Sequence, residues 1–267
     1  MNFFSKLMSQ QPMISAACGS HIGKKRDNNE DNYYFNGEYL PAENNGTENI
    51  LTVRVLQGED SFFAVLDGMG GYEYGEIASN TAAVESGLFF ADSRNINPCD
   101  ITPSLSTLCR KLNEKVFNTG HNLGASQMGT TLVSLFFHKD QVWICNVGDS
   151  RCYLLRDGEM RQLSKDHTNE EELRIRGITD RKPYLTQYVG MDPEELTVVP
   201  YITSLYFREG DRFLLCSDGL TDMVSEGEIC KILVREENSK ECVEELINTA
   251  LAGGGKDNIT AIVIEII

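Results

Sequence analysis

The sequence predicts an α+β fold in which antiparallel sheets carry helices on their outer faces. Short apolar runs with the length of strands adjoin one another along the chain, rather than alternating strictly with helices. Longer amphipathic segments lie between groups of these runs, as expected of helices packed outside a sheet. The 267 residues, 41% of them hydrophobic and 24% charged, are typical of a globular chain with one large domain or two small ones.

The predicted strands are apolar runs bounded by turn residues. They are Phe62–Leu66, Thr131–Phe137, Val142–Val147, Cys152–Leu155, Phe213–Cys216 and Ile259–Ile267. Asp157-Gly158 is a two-residue hairpin signal, and Lys139-Asp140 is expected to turn the preceding pair of strands. Residues 38–60 are interpreted as a polar loop with an extra hairpin strand.

Two helices are predicted from apolar side chains at helical spacing. The first stripe is Ile77, Val84 and Leu88, and the second is Leu105, Leu108, Leu112 and Val116. Helix starts are indicated by the capping boxes Thr168-x-x-Glu171 and Ser225-x-x-Glu228. A last helix over about residues 239–252 is expected to end at Gly253.

Charge and cysteine content narrow the classes of partner and compartment. With 24 Lys+Arg against 40 Asp+Glu, the net charge of −16 disfavours nucleic acid and anionic membrane surfaces as partners. No apolar run approaches the ~20 residues that cross a bilayer, and the N-terminus lacks a secretory signal. The eight cysteines include no CxxC pair, so we expect reduced thiols and a cytoplasmic location.

Carboxylates stand directly after several of the predicted strands. SFFAVL runs into Asp67-Gly68, RFLLCS into Asp218-Gly219, and VWICNVG into Asp149, while Asp257 precedes the final strand. A rigid strand end suits a metal ligand, and the glycine permits close backbone approach or a positive φ. For any one of these residues alone, we favour the interpretation as an ordinary turn aspartate, since Asp-Gly is a common turn dipeptide.

Taken in order, these residues form a series of motifs. They are Arg26-x-x-Asn29-Glu30-Asp31, Asp67-Gly68-Met69-Gly70-Gly71, Met128-Gly129-Thr130-Thr131, Val147-Gly148-Asp149-Ser150-Arg151, Ser217-Asp218-Gly219-Leu220-Thr221-Asp222 and Gly255-Lys256-Asp257-Asn258. The series resembles the metal-dependent protein phosphatases of the protein phosphatase 2C family. With Met69 at its third position, the motif DGMGG resembles that of the bacterial branch. The resemblance implies a flexible N-terminal extension over 1–15 and one phosphatase domain over 16–267. It also implies a four-layer α/β/β/α sandwich, with metals in a cleft at one end.

The same resemblance implies a protein serine/threonine phosphatase that binds Mn²⁺ or Mg²⁺, with two tight ions and a weaker third. Asp67 would bridge the two tight ions, with the Gly68 carbonyl as a further ligand. Asp218 and Asp257 would complete the first ion's shell, and Glu30 would serve the second. The third ion would be held by Asp149 and Asp222, with Asp218 shared.

The implied catalytic roles fall to Asp67, Asp31 and Arg26. Asp31 would orient metal-bound waters, and Arg26 would hold the substrate phosphate, which a guanidinium can bind bidentately. A metal-bridging hydroxide would attack phosphorus in line, without a covalent enzyme intermediate. Met69 replaces the histidine usual in the animal branch and cannot protonate the leaving group.

Residue chemistry supports these expectations. Carboxylates ~4 Å apart repel by about 4 kcal/mol per ionised pair at an effective dielectric of 20, so such a cluster takes up protons or binds cations. Oxygen ligands without a His/Cys cluster favour magnesium or manganese over zinc. The partners expected are phosphorylated proteins, among them a serine/threonine kinase and its substrates, and the chain is expected to be a monomer.

Two alternatives remain open at this point. A non-catalytic phosphoprotein-binding module could keep the fold, although such a protein should lose metal carboxylates, and Asp67, Asp218 and Asp257 are all present. A local basic cluster follows the KDHT segment, formed by Arg174, Arg176, Arg181 and Lys182. It is either a landing surface for a phosphorylated partner or a solvated helix and loop, and we favour the second interpretation because charged surfaces are common.

Overall fold

A computed structural model describes residues 13–56, 58–69, 74–93, 96–179 and 181–267. The strands are β1 (Met13–His21), β2 (Asp31–Phe35), β3 (Leu51–Leu56), β4 (Ser61–Met69), β5 (Gly129–Thr130), β6 (Leu132–His138), β7 (Gln141–Val147), β8 (Arg151–Arg156), β9 (Glu159–Gln162), β10 (Tyr201–Tyr206), β11 (Arg212–Cys216) and β12 (Ile259–Ile266). The helices are α1 (Gly75–Asp92), α2 (Pro98–Leu123), α3 (Glu170–Ile175), α4 (Asp218–Thr221), α5 (Glu226–Arg235) and α6 (Ser239–Ala252).

The strands form two antiparallel sheets. One has the order β3-β1-β12-β11-β8-β9, and the other has the order β10-β7-β6-β4-β2, with the short β5 paired to β4. Side-chain alternation along each strand divides the core into layers. Phe63 and Val65 of β4 face the space between the sheets, whereas Phe62, Ala64 and Leu66 face α1 and α2. On the other sheet, β12 contributes in the same way to a layer beneath α5 and α6. The four-layer α/β/β/α sandwich is therefore confirmed.

The predicted helices form, but one of them buries a different face. Leu105, Leu108, Leu112 and Val116 of α2 are all buried, as the spacing predicts. In α1 the buried residues are small: Gly75, Ala78, Ser79, Ala82, Ala83 and Ser86. Leu88 is 56% exposed, so the predicted stripe was wrong. The small residues let α1 approach the sheet closely, and this packing overrides the apolar pattern.

The local signals have mixed outcomes. Both predicted turns form, with Lys139 at φ 56° and Asp157 at φ 55°, and Ser225 caps α5 by accepting from the Glu228 amide. The Thr168 capping box was wrong, because α3 begins at Glu170 after Asn169 and the Thr168 hydroxyl accepts from the Glu170 amide instead.

The prediction for residues 38–60 was partly wrong. A strand forms, but β3 pairs with β1 at the edge of the first sheet, whereas β4 lies in the other sheet, so there is no hairpin between them. At the N-terminus, residues 13–15 belong to β1 rather than to an extension, and residues 1–12 lie outside the described residues.

The described residues contain neither a disulfide nor a helix that could span a membrane. All eight cysteines are free, and most of them are buried. Among the described helices, none combines the length and apolarity that a membrane span requires.

Candidate active site

An acidic cleft of about 470 Å³ lies at one end of the sandwich. It is lined by Arg26, Glu30, Asp67, Gly68, Met69, Thr131, Asp149, Lys182, Leu185, Asp218 and Asp257. A larger cavity of about 730 Å³ between α1 and α2 contains none of the predicted site residues. Gly70 and Gly71 of the DGMGG motif lie outside the described residues.

Asp67 reaches the cleft because of the alternation along β4. It is separated from Phe63 and Val65 by even numbers of residues, so its side chain lies on the same face of the strand, between the sheets and beyond the end of the core. Its backbone is fixed at both the amide and the carbonyl. The Asp67 amide donates to Thr131 Oγ1 at 3.0 Å, and the Thr130 hydroxyl donates to the Asp67 carbonyl at 3.0 Å. The carboxylate is thus placed by rigid strands.

Asp31 is the cross-strand partner of Asp67 in the β2–β4 ladder and is only 1% exposed. The Ser217 hydroxyl, at the end of β11 in the other sheet, donates to Asp31 Oδ2 at 2.7 Å. Burial raises the pKa of Asp31 to about 7, and the charges of Asp218 and Asp257 add to the shift. Asp31 therefore joins the two sheets beneath the cleft.

The carboxylates of the cleft raise one another's pKa. Burial and then the charges of Asp31, Asp218 and Asp149 raise the pKa of Asp67 well above its usual range. The pKa of Asp218 is raised mainly by burial, although Lys182 opposes this. Burial and the charge of Asp218 raise the pKa of Asp149 to about 7. Without a counter-cation, this cluster holds protons.

Glu30 is positioned by two glycines. The Gly68 amide donates to the Glu30 carbonyl at 3.1 Å, and a Cβ on Gly68 would lie 2.4 Å from that oxygen. A Cβ on Gly75 would lie 2.7 Å from the carboxyl carbon of Glu30. The glycine after Asp67 thus serves close backbone approach, as does Gly219, where a Cβ would lie 1.9 Å from the Asn258 carbonyl. Neither has a positive φ.

Asn258 belongs to the last of the motifs, but no role was predicted for it. Its Oδ1 accepts from the Glu30 amide at 2.8 Å, and its Nδ2 donates to the carbonyls of Ile22 and Asn28 at 2.9 and 3.0 Å. It therefore ties the loop that carries Arg26 and Glu30 to the start of β12. Its position directly after Asp257 was the available signal.

Arg26 lies at the cleft and pairs with Asp257. One guanidinium nitrogen is 2.7 Å from Asp257 Oδ2, and the Arg26 side chain is about half exposed. Because this half-exposed side chain lines the cleft, an oxyanion in the cleft can reach it.

The residues predicted for a third ion also come together. Asp218 and Asp222 lie one helical turn apart in and after α4, and the Asp222 amide donates to the Asp218 carbonyl at 2.8 Å. Asp149, Asp218 and Asp222 line a smaller cavity of about 210 Å³ next to the cleft. Lys182 reaches the same place, with its Nζ 3.0 Å from Asp222 Oδ2 and 3.5 Å from Asp218 Oδ2.

The rest of the basic cluster does not form a landing surface at the cleft. Arg174 pairs with Glu171 and Arg176 with Glu172 along the exposed helix α3. The interpretation as a solvated helix and loop therefore fits Arg174 and Arg176. It does not fit Lys182, which contacts the carboxylates of Asp218 and Asp222.

The donor set fits hard divalent cations. Carboxylate and carbonyl oxygens surround the cleft, and no cysteine or histidine appears among the lining residues. Within the described part of the chain, no three His, Cys, Asp or Glu side chains form a ready-made cage around a single ion. Ions that keep several waters need only one or two carboxylates each, so shared carboxylates along a cleft match magnesium and manganese.

Comparison with known proteins gives the same family. A profile of protein phosphatase 2C matches residues 48–262. The chain is 34% identical over 268 residues to the serine/threonine protein phosphatase PstP of Mycobacterium tuberculosis, covering 96% of this chain and 45% of PstP. It is 36% identical over 214 residues to the serine/threonine phosphatase stp of Listeria innocua, covering 75% of this chain and 82% of stp.

Solved structures agree. The crystal structure of the PstP catalytic domain in complex with two manganese ions matches with a TM-score of 0.72 and 31% identity, covering 96% of this chain and 99% of that one. The chain spans less than half the length of the full PstP. With the motifs gathered in one cleft of a matching sandwich, the chain belongs to the protein phosphatase 2C family, beside bacterial members.

Proposed function

We propose that this chain is a metal-dependent protein serine/threonine phosphatase, which hydrolyses phosphoserine and phosphothreonine in other proteins. The observation that carries the proposal is the crowding of Asp67, Asp149, Asp218 and Asp257 in one cleft beside the Arg26 guanidinium, with Asp31 buried beneath it. Such a cluster of carboxylates is costly unless cations or protons neutralise it. The named activities of PstP and stp support the same function.

The residues proposed to hold two cations are Asp67, the Gly68 carbonyl, Asp218 and Asp257, with Glu30 toward the second ion. The two manganese ions of the PstP structure support this assignment, and magnesium suits the same oxygen donors. When bound, the ions would polarise water strongly enough for it to act as a nucleophile near neutral pH, and they would screen the charge of the phosphate.

The chain's own residues supply positioning. The Asp67 backbone is hydrogen-bonded to Thr130 and Thr131, so its carboxylate is held rigidly where it is proposed to serve both cations. Asp31, fixed by the Ser217 hydroxyl, orients water from beneath and can hold a proton near pH 7. Arg26, which is half exposed, is proposed to bind the phosphate through the guanidinium nitrogens that do not contact Asp257.

Direct hydrolysis is supported over a covalent route. The described lining residues include no cysteine, serine or histidine, and the Thr131 hydroxyl is engaged by the Asp67 amide and by Ser150 Oγ at 2.7 Å. The remaining nucleophiles are the carboxylates and water. Because the carboxylates are proposed to hold the cations, water is proposed to attack phosphorus in line.

A weaker third cation is proposed at Asp149, Asp218 and Asp222, which line the adjoining cavity. The proposed substrates are phosphorylated proteins, including a serine/threonine kinase and its targets. Action as a monomer in the cytoplasm is proposed, and the eight free cysteines are consistent with that location.

The test is hydrolysis of a phosphothreonine peptide by the purified protein with Mn²⁺ or Mg²⁺. Chelation should abolish turnover and added manganese should restore it. Asp67→Asn should lower kcat by at least about a thousandfold, equivalent to roughly 4 kcal/mol of transition-state stabilisation. Asp140→Asn is the matched control, since that exposed residue lies in the turn at the other end of β6. Phosphopeptide binding without turnover in saturating Mn²⁺ would instead identify a binding module.

A further inference from the structure

Lys182 places an ammonium group where the proposed third cation would bind. It lies in the segment between α3 and β10, and its side chain crosses to α4, 40 residues further along the chain. Its Nζ contacts the carboxylates of both Asp222 and Asp218, at 3.0 and 3.5 Å. Lys182 lines both the main cleft and the adjoining cavity, so it stands at their junction.

Most of the charged residues that line the cavity around Lys182 are acidic, and Arg151 is the basic residue among them. Asp149 is close enough for its pKa to respond to the Lys182 charge, and Asp166 lies across the cavity but is engaged by Arg151. The ammonium and a divalent cation would need the same oxygens of Asp222 and Asp218. Two cations cannot share them at these distances without strong repulsion.

The backbone around Lys182 limits what can move. The Tyr184 amide donates to Asn169 Oδ1 at 2.9 Å, and the Thr186 amide donates to the His167 carbonyl at 2.8 Å. These bonds do not involve α4, so they persist when the lysine leaves. The Lys182 side chain itself is 69% exposed and free to turn toward solvent.

We propose that Lys182 is a tethered competitor of the third divalent cation: its ammonium occupies the carboxylates of Asp222 and Asp218 until that cation displaces it. The inference rests on the proposed function, because it refines the third site of that cleft. Lys182 thus sets the metal concentration at which the weak site fills. Displacement swings a positive charge to the mouth of the cleft, where phosphorylated substrate enters.

The first test is calorimetric titration of the metal-free protein with Mn²⁺. The Lys182→Met variant should bind the weak ion about fivefold more tightly. The reason is that the ion no longer has to displace an exposed ion pair before it binds. The tight sites should be unchanged. Lys182→Arg, which keeps the charge, should remain within twofold of wild type. Arg176→Met is the control on the same segment, since among the described residues Arg176 forms its ion pair with the exposed Glu172 of α3 and does not line the cleft.

The second test needs no turnover. Amine labelling of Lys182, read by mass spectrometry, should accelerate as Mn²⁺ fills the weak site. Lys231 is the internal reference, because it pairs with Glu228 at 2.9 Å on α5 and does not line the cleft. Equal weak-site affinity in wild type and Lys182→Met, or labelling of Lys182 that ignores Mn²⁺, would overturn the inference.

The two proposals fail in different ways. If Asp149→Ala removes weak Mn²⁺ binding but Lys182→Met leaves it unchanged, the third cation site is supported and the competitor role of Lys182 is refuted. If the affinity and labelling shifts appear in a protein that hydrolyses no phosphopeptide, the competitor stands and the phosphatase proposal falls. If neither wild type nor Lys182→Met binds a weak ion, the competitor is refuted.

Discussion

Asp31 and Asp67 lie directly opposite each other across the antiparallel β2–β4 ladder, both on the face between the sheets. Like charges at such a cross-strand pair destabilise a sheet, and here burial strengthens the effect. Burial raises the pKa of both residues, and the charge of Asp31 adds to the shift at Asp67. The end of the sandwich is therefore built for a neutralising cation, and stability in its absence should depend on protons.

The metal-free protein should lose stability as pH rises. The folded pKa values of Asp31 and Asp149 are about 7, whereas an unfolded aspartate titrates near ~4. Between these pH values the folded state binds more protons than the unfolded state, so the free energy of unfolding falls with pH, on the order of a few kcal/mol. Urea unfolding in chelator at pH 5 and pH 8 measures this. Asp31→Asn should flatten the slope and saturating Mn²⁺ should restore stability at pH 8, whereas equal stability at both pH values contradicts the expectation.

Arg26→Ala should separate substrate binding from metal binding. The guanidinium is proposed to touch phosphate in ground and transition states, so KM should rise by about tenfold or more with a smaller loss in kcat. Mn²⁺ affinity should not weaken, since the change frees Asp257 from its ion pair. Arg26→Lys should recover only part of the loss because an ammonium lacks the planar fork. Weakened Mn²⁺ binding on calorimetry would reassign Arg26 to a structural role.

Gly75→Ala should displace Glu30. The new methyl would lie 2.7 Å from the carboxyl carbon of Glu30, so that side chain must move. We expect kcat to fall by about tenfold or more and one of the tight Mn²⁺ sites to weaken. Gly227→Ala is the matched control, since Gly227 also lies in the first turn of a helix but has open space around it. If Gly75→Ala keeps wild-type kcat and Mn²⁺ affinity, Glu30 does not serve the metal.

Asp149→Ala should lower kcat at moderate Mn²⁺ while both tight ions remain bound. Asp149 lines the adjoining cavity with Asp218 and Asp222, and it follows β7 rather than belonging to the core. Calorimetry should show the tight sites intact and the weak one lost. A variant with wild-type kcat at every Mn²⁺ concentration would show that Asp149 serves only the fold.

The strands and the main carboxylates were predictable because their signals are local. Alternation along SFFAVL requires that Asp67 share a face with Phe63 and Val65, and a strand that ends in Asp-Gly places that carboxylate beyond the core. The four-residue separation of Asp218 and Asp222 likewise placed both carboxylates on one helical turn. The motif order then identified the family, which the comparisons show.

The sequence by itself determined most of the strands and the helix α2, because each depends on periodicity within one segment. The two-sheet sandwich and the roles expected of the cleft carboxylates came from the resemblance that the ordered motifs carry. Only the tertiary structure decided which face of α1 is buried, that Asn258 ties the Glu30 loop to β12, and that Lys182 reaches Asp222 and Asp218. These are contacts between segments far apart in the chain. They are fixed by how closely helices and loops pack on the sheets, which no local pattern of residues encodes.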